Sequence, residues 1–406
     1  MLFTPYTLGN ITLRNRTIRS AAFENMCHNY SPSQELFNYH TAVAKGGVGM
    51  TTIAYASVNR SGVSFEGQLW IRPEIVTELR HLTDAIHAYG AKASIQLGHC
   101  GNMTHRHTAG QMPVGASGGF NLYSPTFCRA LKIKEIKQTV KDFGNAVRIA
   151  IDAGFDAIEI HAGHGYLISQ FLSPYTNNRK DEYGGSLENR MRFMTEVLQE
   201  VVHAANNRVA VIVKTNMYDG FSGGLQIDDC ITVAKKIEEL NVNAIVLSAG
   251  FVSKAPMTVM HGAMPIKTLA YYMNIRKYWW LKILIRGFGK YMMRAVPYRE
   301  NYFLEDAKKF RAALKLPLIY VGGITSREGI NKVLDSGFEL VQIARALIND
   351  TEFVNHLKND PAYSSSCTHS NYCIGRMYSE NMQCHKCTDN LPQKLKKEIS
   401  TLEKTN

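Results

Sequence analysis

The chain has 406 residues, 45% hydrophobic and 20% charged, a balance that suits a globular protein with a large core and excludes a disordered polyelectrolyte. Its 46 Lys and Arg against 34 Asp and Glu give a formal charge of +12, which favours anionic ligands such as cofactor phosphates and does not by itself mark a nucleic-acid binder. The N-terminus has no basic segment followed by an apolar stretch, no apolar run reaches the roughly 20 residues of a membrane span, and eight Cys in so long a chain point to the reducing cytoplasm.

In chain order, Gly9-Asn10 reads as the turn of a small hairpin, followed by a strand around Thr17 to Ala22 that closes on small residues. Helical spacing from Gln34 to Lys45 ends at Gly46-Gly47, and V-G-M-T-T-I-A-Y-A follows as a second strand. A helix from about Glu74 to Tyr89 leads to the strand A-K-A-S-I-Q-L-G-H, and the Gly-rich span from Gly98 to Pro125 reads as one long loop. Helices at Ile133 to Ala153, Leu187 to Ala205, Ile227 to Leu240, Leu304 to Leu314 and Arg327 to Asp335 each precede a further apolar strand. Eight strands alternating with helices predict an α/β fold, a (β/α)8 TIM barrel, with its active site at the C-terminal strand ends. Gln96, His161, Lys214, Ser248, Gly322-Gly323 and Arg345 gather at those ends.

The segment A-I-E-I-H-A-G-H-G-Y carries the densest chemistry. If Ile158 and Ile160 face the helices, then Ala157, Glu159 and His161 face the inside of the barrel. Gly163 and Gly165 break the strand and leave His164 and Tyr166 on a short loop. Two imidazoles and a phenol at one rim can donate hydrogen bonds to an anionic oxygen and hand over a proton. The same pair of His could instead share a zinc ion, although no third ligand stands nearby in sequence.

Gly322-Gly323, followed by a helix start at Thr325 and Ser326, offers free backbone N–H groups, and Ala344-Arg345 adds a cation from the next strand. Together they read as a phosphate site. Residues from Phe251 to Arg299 are too many for an ordinary loop. From Gly262 to Arg299 there is no Asp or Glu, while Lys267, Arg276, Lys277, Lys282, Arg286, Lys290, Arg294 and Arg299 are basic and aromatics interleave them. This stretch reads as a cap or lid, with docking to a redox partner or a membrane surface as the other reading.

Several of these segments resemble the old yellow enzyme family of FMN-dependent ene-reductases. L-F-T-P-Y-T-L-G, N-R-T-I-R-S-A-A, K-G-G-V-G-M, I-Q-L-G-H, H-A-G-H-G-Y-L-I-S-Q-F-L-S-P, Y-G-G-S-L-E-N-R-M-R-F and V-G-G-I with A-R-A-L-I-N-D carry the likeness over residues 1 to about 350. The first strand and the Lys214-Thr-Asn step look closer to the 2,4-dienoyl-CoA and enoate reductase branch. The resemblance implies FMN contacts at Ala21, Ala22, Phe23, Ala54, Gln96, Lys214, Gly322, Gly323, Ala344 and Arg345. It also implies that His161 and His164 hold the substrate's activating oxygen and that Tyr166 donates the proton. Phenols, with a reference pKa near ~10, stay protonated at neutral pH and suit that role. Ala22 and Phe23 replace a Thr or Cys found in many members. The tail has Ser370 where a cluster Cys is expected, so Cys367, Cys373, Cys384 and Cys387 are expected to be a remnant rather than a zinc or iron–sulfur site.

The expectation is therefore a barrel over residues 1–360, with a cap inserted at 251–303, and a Cys-containing tail at 361–406. Its function would be reduction of an activated C=C bond through FMN with NAD(P)H as reductant, in the cytoplasm and without a bound metal. The partner would be a small-molecule alkene, with no nucleic acid and no integral membrane segment; a homo-oligomer is compatible. The alternatives are a metal-dependent hydrolase on His161 and His164, or a flavin- or phosphate-binding sensor.

Overall fold

The computed structural model describes residues 1–121, 124, 126–273 and 279–403. Eight parallel strands close a barrel: β1 (Thr17–Arg19), β2 (Met50–Ser57), β3 (Lys92–Gly98), β4 (Ala157–His161), β5 (Ala210–Asn216), β6 (Ala244–Ser248), β7 (Leu318–Val321) and β8 (Leu340–Ile343). Each pairs with its sequence neighbours, and β8 pairs with β1. The outer layer comprises α1 (Gln34–Lys45), α2 (Val76–Ala88), α3 (Ile133–Asp152), α4 (Leu187–Ala205), α5 (Ile227–Glu238), α6 (Leu304–Ala313), α7 (Arg327–Asp335) and α8 (Phe353–Asn359). These helices begin where the sequence provides caps: Ser33 Oγ accepts from Glu35 and Leu36 N–H, and Ser186 Oγ accepts from Asn189 N–H.

Strand alternation divides the apolar residues into two cores. Ile158, Ile160, Val211, Val213, Ile245 and Leu247 face outward and pack under the helices. Ile18, Met50, Ala157, Ile212, Val246 and Leu340 face inward, and the hairpin of Tyr6–Leu8 and Ile11–Leu13 closes the N-terminal end through Leu8, Ile11 and Leu13. Apolar filling stops partway up the barrel. Beyond it Gln96, Glu159, Lys214 and Gln342 are buried inside, each at most 3% exposed, and this change from apolar to polar marks the functional end.

The span after β3 is not one open loop. It contains a short helix, Arg106–Ala109, and a three-stranded sheet of Val114–Gly115, Gly119–Asn121 and Thr126–Ala130; Pro125 lies outside the described residues. Among its described residues the long insertion forms three helices, Pro256–Met260, Ile266–Tyr272 and Trp279–Met292. Arg276 and Lys277 of its basic run lie outside the described residues. The tail folds over this insertion. Glu398 accepts from Lys267 N–H at 2.7 Å and Thr268 N–H at 2.8 Å, capping the middle helix, while Leu395, Ile399 and Tyr372 bury Tyr272.

Candidate functional site

His161 ends β4 with its side chain 5% exposed, in register with Lys214 of β5. The chain then turns sharply, with φ of +59° at His164 and +82° at Gly165. A Cβ on Gly165 would lie 2.6 Å from Phe251 Cε1, so this position needs glycine for space as well as for backbone conformation. Asn216 pins the turn. Its Oδ1 accepts from His164 N–H at 3.0 Å while its Nδ2 donates to Gly250 O at 2.8 Å and to Asp219 Oδ1 at 3.1 Å. Tyr166 follows as the residue preceding the short helix Leu167–Leu172.

The three side chains converge. Ring centroids lie 5.1 Å apart for His161 and His164 and 4.5 Å apart for His161 and Tyr166, with Tyr55 of β2 5.1 Å from Tyr166. Burial holds His164 down to about 3 and His161 well below the usual imidazole value, with Lys214 adding to both shifts and the neighbouring His164 to that of His161. Both rings are therefore neutral at physiological pH. Gly163 N–H donates to His161 Nδ1 at 3.4 Å, which leaves the ring proton on Nε2. His164 Nε2 shares a hydrogen bond with Ser248 Oγ at 2.7 Å, and this fixes its orientation.

Beneath this rim, Glu159 is fully buried and fully engaged. It pairs with Lys214 Nζ at 2.8 Å, accepts from Gln96 Nε2 at 2.6 Å and accepts from Gln342 Nε2. Lys214 Nζ also lies 3.4 Å from Ser20 Oγ. Burial lowers the Lys214 ammonium pKa, and Glu159 opposes that shift. The pair supplies a fixed cation facing the cavity, with its counter-charge held below.

A cavity of about 340 Å³ lies over these groups. Its wall brings together Ala21, Ala22, Phe23, Gln96, His161, His164, Tyr166, Lys214, Gly322, Ala344 and Arg345, drawn from the ends of different strands. Ala54 stands behind the wall, 5% exposed, and its N–H points to the Glu24 carboxylate at 3.2 Å. Gly323 also stands off the cavity surface. Sequence reasoning missed Ser20 and Tyr55, which line the same cavity, and placed Ser248 at the strand ends without giving it a role. Ser248 had a signal in its place at a strand end; Tyr55 and Ser20 had none in spacing or type.

The phosphate end differs from expectation. Glu300 Oε1 accepts from Thr325 N–H and Ser326 N–H, both at 2.8 Å, so the start of α7 is already satisfied by an internal carboxylate. Glu300 comes from the end of the insertion, where local pattern gives no hint of its partner. What remains for a phosphate at the cavity wall is the backbone at Gly322 together with Ala344-Arg345. A Cβ on Gly322 would lie 2.8 Å from Phe303 Cδ2, so only glycine keeps this cradle open. Arg345 donates to Asn371 Oδ1 at 2.9 Å and lies over the Tyr298 ring, which holds the guanidinium at the edge of the cavity. With cations at Lys214 and Arg345 and small residues at Ala21, Ala22 and Gly322, the cavity fits a flat, phosphate-bearing cofactor.

A model of the NADH:flavin oxidoreductase / NADH oxidase family matches residues 1–288. The chain belongs to that family. As a member it is an FMN-dependent oxidoreductase drawing on NAD(P)H, and the barrel predicted from sequence is its fold. It is 36% identical over 379 residues to the 4,4'-dithiodibutanoate disulfide reductase of Rhodococcus erythropolis, covering 93% of each chain. It is 30% identical over 398 residues to the NADH oxidase of Thermoanaerobacter brockii, covering 96% of this chain and 56% of that one. In fold it is similar to a 2-naphthoyl-CoA reductase in complex with 2-naphthoyl-CoA, with a TM-score of 0.80 and 22% identity, covering 98% of this chain and 58% of that one. The family assignment displaces the hydrolase reading. Among the described residues no group of three or more His, Cys, Asp and Glu side chains is placed to hold a metal ion.

Proposed function

We propose that the cavity reduces an electron-poor C=C bond conjugated to a carbonyl. One observation carries the reading: two neutral imidazoles, His161 buried and His164 partly buried, lie 5.1 Å apart between ring centroids, with the Tyr166 phenol 4.5 Å from His161, on the wall of the cavity. FMN, when bound, supplies the hydride that adds to the β-carbon of the alkene. His161 donates through Nε2 to the carbonyl oxygen, on which negative charge gathers as the C=C bond opens. In the tautomer in which Ser248 donates to Nε2 of His164, Nδ1 carries the proton and is the second donor. Because both rings are neutral, they stabilise the oxygen as hydrogen-bond donors without giving it a proton. Tyr166 delivers the proton to the α-carbon. Lys214, anchored by Glu159, would hold charge at the cofactor ring, and Arg345 with Gly322 would hold its phosphate.

The Rhodococcus relative supports a second reading, in which the same reducing equivalents cleave a disulfide: one S–S bond, one hydride and one proton give two thiols. A single assay separates the two. Purified protein with flavin absorbance is bleached by NAD(P)H under anaerobic conditions and then mixed with an enone or with 4,4'-dithiodibutanoate. Rapid recolouring by the enone supports alkene reduction; recolouring by the disulfide alone overturns it in favour of the second reading. Among the described residues no helix is long and apolar enough to cross a membrane, and all eight cysteines are free. A cytoplasmic setting, with its supply of NAD(P)H, fits this chemistry.

A further inference from the structure

The helix Trp279–Met292 has two working faces. Ile285 and Gly289, with Met293 just beyond it, line the cavity from above. On the other side Trp279 is 67% exposed, Ile283 61%, Phe288 62% and Tyr291 77%, an apolar and aromatic surface covered by no other part of the described chain. At helical pitch Trp279, Ile283, Arg286 and Lys290 project within roughly 60° of one another, while Tyr291 lies about 80° and Phe288 about 140° round the helix from Ile283. Arg286, Lys290 and Arg294 are exposed among them. Arg294 lies over the Tyr291 ring at 5.3 Å. The stretch from Gly262 to Arg299 carries eight Lys and Arg and no acidic residue, so nothing within it neutralises this charge. Lys394 of the tail lies 4.6 Å over the ring of Tyr271, on the neighbouring helix, and adds a further cation.

We propose that this face docks on an anionic lipid surface. Large apolar side chains at such exposure are unfavourable in water and mark an interaction site. Arg286 and Lys290 interleaved with Trp279 and Ile283 on one side of the helix match a bilayer interface, where rings and aliphatic chains enter the headgroup boundary and the cations meet lipid phosphates. Charge complementarity selects this occupant. A second copy of the face would set like charges against each other, and an acidic protein surface would satisfy the cations without giving Trp279 and Ile283 a hydrocarbon layer to enter. The proposal does not depend on which bond the enzyme reduces.

The test is co-sedimentation of the flavin-loaded full chain with vesicles of phosphatidylcholine alone and of phosphatidylcholine mixed with phosphatidylglycerol. Binding to the mixed vesicles at least about tenfold tighter than to the neutral ones, weakening as salt is raised, is the expected result. The double variant Trp279→Glu/Ile283→Glu should lose most of that binding while keeping its flavin and its turnover of a small soluble substrate. Arg286→Gln/Lys290→Gln should lose the preference for anionic lipid while keeping residual apolar binding. Equal binding by parent and both variants, no binding by an active flavin-loaded parent, or burial of this face in a homodimer or a complex with an acidic protein would each overturn the proposal.

Discussion

At the end of β4 His164 and the buried Glu159 are held by their surroundings, whereas the cap across the same cavity presents side chains with many rotamers. His164 is fixed at its backbone by Asn216 and at its ring by Ser248, and Glu159 is engaged by Lys214, Gln96 and Gln342. Facing them, the cap contributes Met260, Met264, Met273 and Met293, and the tail adds Met377 and Met382. Methionine is unbranched and polarisable, so a wall built from it adapts to differently shaped ligands. The contrast assigns chemistry to the rigid rim and substrate choice to the adaptable cap. Substitutions in the rim should cost rate or stability whatever the substrate, and substitutions in the cap should matter only for substrates long enough to reach it.

The largest effect is expected where charge is buried deepest. Glu159→Ala leaves Lys214 unpaired inside the barrel, a change that costs about 3–5 kcal/mol of stability in comparable buried pairs. A thermal melt should show a clear drop in Tm together with weakened retention of flavin; an unchanged melt would mean that the network contributes little. Next come the imidazoles. His161→Ala or His164→Ala removes one donor from the developing oxyanion and should lower kcat by the equivalent of about 2.7–4 kcal/mol, with flavin content retained. The long-wavelength band expected when a para-substituted phenol binds over flavin should weaken in both variants.

Cap substitutions should be milder and selective. Met293→Ala should lower kcat/KM by about 1–3 kcal/mol for a bulky apolar enone and hardly at all for a small one, measured side by side. Equal losses for both would break the division of labour between the two walls. The smallest effect concerns pH. Burial holds the His164 pKa at about 3 and that of His161 well below the ordinary value, so turnover should show no imidazole titration between roughly pH 5 and 8. For stability the sign follows from a folded pKa below the unfolded one. The unfolded chain binds the extra protons, so this contribution is full above about 6.5 and is lost as pH falls from there toward about 3. A kcat profile with a break near 6.5 would show that one ring is charged in the working enzyme.

The two walls also differed in how far sequence revealed them. Alternation in A-I-E-I-H assigned Ile158 and Ile160 to the helix layer and Glu159 and His161 to the interior, because a strand has only two faces and one of them was apolar. His164 and Tyr166 were legible because glycines mark the turn on which they sit. Ser248 as the partner of His164, Asn216 as the clamp on the turn and Glu300 as the occupant of the α7 start were not legible, since each acts across space on a residue tens of positions away. Asn371 of the tail reaches Arg345 in the same way. The methionine wall has no period at all. Its residues come from separate turns of the cap and tail, and only their packing over the barrel mouth makes them one surface.

The central claim is that the rim performs the alkene half of the reaction and leaves delivery of electrons from the nicotinamide untouched. Stopped-flow absorbance of Tyr166→Phe at the flavin band tests it most directly, because the two half-reactions are read separately in one protein. Reduction by NAD(P)H should proceed at close to the parent rate, while reoxidation by an enone should slow by about 10²-fold, the scale of a lost general acid. Equal slowing of both half-reactions, or no slowing of reoxidation, would contradict the assignment of Tyr166 as the proton donor.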